Sequence, residues 1–149
     1  MKQFYKYNTA IEFIKDIPVF MFWWSFSLVR RWIINRKIWD IDIIVPYSFW
    51  KQFKDMDYHI EFNTNKYEEI VPEWIFIYTY DFPDWSIDII FRKDFNNLNS
   101  EIINWYSHLD VKEILKQKEH LLKNWNSDKI SKHEDDIKQI KKYLKLFPQ

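Results

Sequence analysis

Asp40-Ile41-Asp42-Ile43-Ile44-Val45 is a strand written in alternating chemistry. Side chains on an extended chain alternate with period 2, so Asp40 and Asp42 share one face while Ile41 and Ile43 take the other. The word Ile-Asp-Ile-Ile stands here at 41–44 and again at 87–90, inside Ser86-Ile87-Asp88-Ile89-Ile90. If the two strands pair with these words in register, Asp42 and Asp88 lie side by side, with Asp40 close by. Three carboxylates on an apolar sheet repel one another and are costly to bury. A divalent cation resolves that cost, and hard oxygen ligands select magnesium, manganese or calcium. The competing reading is that these aspartates face water or pair with Arg30, Arg31 or Arg36.

Around these two strands the chain alternates helical and extended signals. Asn8 or Thr9 caps a short helix to about Lys15, ended by Pro18. Val19 to Phe22 reads as a buried strand, and Ser25 to Ile34 as a helix with Phe26, Val29 and Ile33 as its stripe. The Asp40 strand begins at Trp39 and stops at Pro46. Ser48 caps a short helix over 49–54, and Tyr58 to Phe62 is a further strand. Trp74 to Tyr80 is all β-branched or aromatic, a strong strand signal. Pro83-Asp84 turns the chain into a strand from Trp85 to Phe91, antiparallel to its predecessor. After residue 109 the pattern becomes helical. Asp110 with Glu113 caps a helix carrying Val111, Ile114, Leu115, Leu121, Leu122 and Trp125. Ser131 with Glu134 forms a second capping box before Ile137, Ile140, Leu144 and Phe147. The expected architecture is an α/β (α+β) mixed sheet flanked by helices. A core over 1–109 is followed by a helical hairpin over 110–149 packed on it, within one compact domain.

Composition narrows the function classes. The 149 residues carry 22 basic and 22 acidic side chains, so a generally basic nucleic-acid coat is disfavoured, although nucleic acid is not excluded as a partner. Residues 1–109 hold 12 basic and 15 acidic groups, and residues 110–149 hold 10 and 7. With 47% apolar and 21% aromatic residues the chain is not a disordered acidic one. The absence of cysteine excludes disulfides, thiolate metal sites and cysteine nucleophiles. The longest uncharged run, Ile17 to Val29, is too short to span a bilayer, which takes about 20 residues; a soluble cytoplasmic protein without a membrane partner is expected. The four histidines, His59, His108, His120 and His133, show no metal spacing and read as solvated or capping.

Glycine is absent and tryptophan occurs nine times, where glycine is ordinarily about 7% of residues. Low GC content accounts for scarce glycine and alanine but not for abundant tryptophan. A genome, or a translation of one, in which UGA is read as tryptophan would account for it; the codons at the nine positions test the idea, which fails if all are UGG. Without glycine no Walker loop, nucleophile elbow or Rossmann fingerprint is possible.

The order of these elements resembles the nucleotidyltransferase fold superfamily, in particular its small minimal bacterial members. The resemblance runs over about residues 10–140. Val19 to Leu28, with Trp23-Trp24-Ser25, occupies the family's first strand and turn. Asn35 to Val45 matches its second element, and Ser86 to Ile90 its third. Lys132-His133-Glu134-Asp135-Asp136-Ile137 is similar to a helix common in small members. The resemblance implies a catalytic and metal-binding set of Asp40, Asp42 and Asp88 holding two magnesium ions and the triphosphate of an NTP such as ATP. It implies nucleotide contacts from Ser25, with backbone N–H groups beside it, and from Lys132. The implied activity is transfer of a nucleoside monophosphate to a hydroxyl acceptor, with a protein partner or a second copy completing the site. Ser25 as a plain helix cap and Lys132 as a solvated lysine are the alternatives. Where the family has glycine before the serine, this chain has Trp23 and Trp24. Three outcomes follow: a catalytically inactive relative serving as a binding or assembly module, an enzyme with a tilted loop, or tryptophan standing for an original glycine.

Overall fold

In the computed structural model, residues 9–49, 59–62, 74–124 and 130–148 are described. Among the described residues, four helices and seven strands are formed: α1 (Ala10–Lys15), β1 (Met21–Trp23), α2 (Trp24–Arg30), β2 (Asp40–Pro46), β3 (His59–Phe62), β4 (Trp74–Asp81), β5 (Ser86–Arg92), β6 (Ser100–Ile103), β7 (Tyr106–Leu109), α3 (Val111–Asn124) and α4 (Ile130–Leu146). The strands make one mixed sheet in the order β3-β4-β5-β2-β1-β7-β6. The chain is thus a mixed α+β protein. Two strands rich in isoleucine, β2 and β5, lie at its centre and run parallel. Burial on both faces explains why each reads as a near-continuous apolar run interrupted only by its aspartates.

The sheet separates two cores by residue parity. Ile41, Ile43, Val45, Ile87, Ile89 and Phe91 point to one face, where Ala10, Phe13 and Ile14 of α1 cover them. Ile44 and Ile90 point to the other, with Met21 and Trp23 of β1, Leu28 of α2, Val111 and Ile114 of α3 and Ile140 of α4. Each fully buried isoleucine contributes about 1.5–3 kcal/mol. The even-numbered Asp40, Asp42 and Asp88 therefore belong to the face that α2, α3 and α4 cover.

Most expected elements are present with shifted ends. Thr9 caps α1, its hydroxyl accepting from the Glu12 N–H. The β4–β5 pair is antiparallel, as the short Pro83-Asp84 connection implies. The helix expected over 25–34 is shorter: α2 closes at Arg30, and the Trp32 and Ile33 N–H groups bond back to the Val29 and Leu28 carbonyls. The Ser48 helix is reduced to a single 3-10 turn at Tyr47–Phe49, and 50–54 lie outside the described residues. Ser131 does not cap α4, which already includes Ile130. The β6–β7 pair, which has no counterpart in the sequence reading, forms the sheet edge next to β1. Among the described residues, no helix is long and apolar enough to cross a membrane.

Candidate functional site

Register builds the site. β2 and β5 align Ile41 with Ile87, Asp42 with Asp88 and Ile43 with Ile89. The repeated tetrapeptide thus pairs with itself, word on word. On the opposite side of β2, Trp23 at the end of β1 is the antiparallel partner of Asp42. The chain turns directly from there into α2, so the start of that helix adjoins the aspartates. Asp40, Asp42 and Asp88 each offer a carboxylate oxygen within 4.8 Å of the others.

The electrostatics are those of gathered like charges. Asp42 is held well above the ordinary carboxylate range, first by burial, then by the charges of Asp88 and Asp40, with a hydrogen bond to Asp88 acting the same way; Lys118 opposes them. Two of the three arginines that sequence reading offers as neutralising partners, Arg31 and Arg36, are engaged elsewhere. Arg31 donates to Glu101 at 2.7 Å, to the Leu109 carbonyl at 2.7 Å and to Ser27. Arg36 holds Asp136 through both of its terminal nitrogens and donates to the Ser25 hydroxyl at 3.0 Å. A close set of hard oxygen donors with one carboxyl pushed toward protonation has the chemistry a divalent cation fits.

The other two predicted residues lie differently. Ser25 is buried in the first turn of α2. The cap position belongs to Trp23, which makes no side-chain capping bond, so Ser25 is not a plain helix cap. Its hydroxyl accepts from Arg36. Lys132 is exposed in the first turn of α4, the situation of a solvated lysine.

The lysine whose charge acts on Asp42 is Lys118. It is fully buried, and its ammonium donates to Asp136 Oδ2 at 3.0 Å and lies 3.1 Å from His133 Nδ1. It also sits 5.0 Å from the centre of the Trp24 ring. Burial lowers the Lys118 pKa, opposed by Asp136. At Asp136 burial pushes the other way from its partners; the hydrogen bonds and charges of Arg36 and Lys118 prevail and hold it below the ordinary range. Gln117 completes this layer, its Oε1 accepting from the indoles of Trp23 at 2.6 Å and Trp24 at 3.0 Å. A signal for these residues was present. Gln117 and Lys118 continue the α3 stripe of Val111, Ile114 and Leu115 at helical spacing, and His133 and Asp136 do the same in α4 before Ile137 and Ile140. Polar groups on an apolar stripe are buried, and buried polar groups have partners.

The histidine expectation needs correction for two of the four. His108 is fully buried, 2.9 Å from the Ser27 hydroxyl. Burial, with Arg31 and Arg30, lowers its pKa to about 3, so it is a neutral core group. His133 is buried against Lys118. A surface depression of about 280 Å³ lined by Arg36, Asp135 and Gln139 among others takes in none of the three aspartates.

Comparison with protein-family models, curated proteins and solved structures returns no match for this chain.

Proposed function

We propose that the protein is a nucleotidyltransferase-like enzyme: it transfers a nucleoside monophosphate from an NTP to a hydroxyl acceptor with magnesium. The fold assignment within that reading is a nucleotidyltransferase-like sheet with a C-terminal helical hairpin. The observation that carries it is the pairing of Asp42 with Asp88 beside Asp40, at a strand-to-helix turn that opens α2. Asp40, Asp42 and Asp88 would hold the metal ions. A magnesium ion held there would supply charge neutralisation for the triphosphate and the leaving pyrophosphate. Asp88 accepts the proton of the attacking hydroxyl as its oxygen bonds the α-phosphorus and the bond to pyrophosphate breaks. The sheet register fixes the three carboxylates before substrate arrives, which is the preorganisation such a step needs.

A second reading has its own observation. The Trp24 indole covers Lys118 and shares Gln117 with Trp23, an arrangement that suits an inactive relative acting as a binding or assembly module, with a second copy or another protein as partner. Titration of magnesium and ATP, followed by tryptophan fluorescence, separates the two. The enzyme reading expects saturable, magnesium-dependent binding that is lost in Asp42→Asn. Equal binding by both proteins, or none by the folded wild type, would end it.

A further inference from the structure

Three tryptophans stand where the backbone needs glycine. Among the described residues, positive φ occurs at Trp24 (48°), Trp32 (63°), Asn104 (48°) and Trp105 (76°). Asparagine visits this region readily, but for a bulky residue it is an outlier, because Cβ crowds the following carbonyl oxygen.

Two of the three positions belong to motifs with a known glycine requirement. Arg31 is the C-cap of α2, and Trp32 follows it. The Ile33 N–H bonds the Leu28 carbonyl at 3.0 Å and the Trp32 N–H bonds the Val29 carbonyl at 3.0 Å. These are the two bonds of a Schellman ending, whose left-handed residue is usually glycine. Ile33 and Leu28 also meet in one core, the apolar contact that accompanies the motif. The second position closes a hairpin. Ile103 pairs with Tyr106, leaving Asn104-Trp105 as a two-residue loop with both φ values positive. That is the pattern of a type I′ turn, for which Asn-Gly is the strongest sequence signal. Trp24, the third, opens α2 directly after β1.

At 32 and 105 the side chains do not repay the backbone cost, whereas the Trp24 indole packs on the core and donates to Gln117. Trp32 is 90% exposed and Trp105 is 93% exposed, so neither indole gains burial in return. Composition points the same way: glycine is absent from 149 residues while tryptophan occurs nine times.

We infer that residues 24, 32 and 105 are glycine positions, and that the polypeptide made in its own cells carries glycine there, through a codon that this sequence renders as tryptophan. The inference stands on backbone geometry and composition, independently of any activity. Glycine at 24 would remove the indole that caps Lys118 at 5.0 Å.

The deciding experiment is peptide mass spectrometry of the protein isolated from its source cells. Glycine at 24, 32 and 105, with one codon common to all three, is the expected result; tryptophan in those peptides overturns the inference. Recombinant variants test the geometry separately. Trp32→Gly and Trp105→Gly should each raise the Tm by about 2–4 °C, whereas Trp32→Ala and Trp105→Ala, which keep a Cβ, should not. Equal Tm values for the glycine and alanine variants would remove the backbone argument.

Discussion

Two charged layers on the same side of the sheet follow opposite rules. On β2 and β5, three carboxylates gather within 4.8 Å, and burial together with the charges of Asp88 and Asp40 raises the proton affinity of Asp42. Between α3 and α4, Lys118, Asp136 and Arg36 alternate in sign and satisfy one another. The helical layer is complete as it stands, because each buried charge has an opposite neighbour. The strand layer concentrates like charges on two central, paired strands of the sheet. Compensated charge secures packing, whereas concentrated like charge is a cost that a ligand can repay, and the difference marks the strand layer as the candidate site.

The largest effect should come from breaking the helical layer. Asp136→Ala leaves the buried Lys118 ammonium without its carboxylate and should destabilise the fold by about 3–5 kcal/mol, read by chemical denaturation. A loss below 1 kcal/mol would mean that the two layers do not differ in kind. The pH dependence has a definite sign. Asp136 has a lowered pKa, so its stabilisation is present above the ordinary carboxylate pKa and disappears as pH falls through the lowered value.

The strand layer should respond in the opposite sense. Asp42→Asn removes a repelled charge and should stabilise the metal-free protein by on the order of 1 kcal/mol, while abolishing divalent-cation binding. Destabilisation by this variant would show that Asp42 is structurally compensated. Asp42 has a raised pKa; its contribution to metal-free stability is therefore greatest at low pH and falls as pH rises from the ordinary value through the raised one.

Metal affinity sharpens the same contrast. Binding must expel the proton that Asp42 retains, so magnesium affinity should rise about tenfold per pH unit below the raised Asp42 pKa and level off above it. Calorimetric titration at several pH values measures this, and a flat profile would remove Asp42 from the ligand set. The smallest effect belongs to a charge pair outside both layers. Lys141 and Glu119 approach to only 4.0 Å at the surface, so Glu119→Gln should change stability by less than about 0.5 kcal/mol.

How much was legible follows from how far apart the cooperating residues lie in sequence. The alternation in Asp40-Ile41-Asp42 assigns a strand and a shared face from three consecutive residues, and the repeated Ile-Asp-Ile-Ile points to Asp88. Those are local properties of an extended chain, and the register agrees with them. The end of α2 and the β6–β7 hairpin were hidden because their turn signals are written as Trp32 and Asn104-Trp105, and indoles do not announce a left-handed backbone. Lys118 was visible only as a lysine on an apolar stripe; nothing within α3 says that its partner is Asp136, on another helix.

Sequence alone therefore determined the secondary structure of the central strands, the parity that puts Asp40, Asp42 and Asp88 on one face, and the exclusion of thiol chemistry. The physical reason is that side-chain alternation and residue chemistry are local. Only the tertiary structure decided that β2 and β5 run parallel as neighbours, that Arg31 and Arg36 are engaged away from the aspartates, and that Lys118 opposes the charge on Asp42. Those facts depend on which distant segments pack together, and burial then sets the strength of each charge.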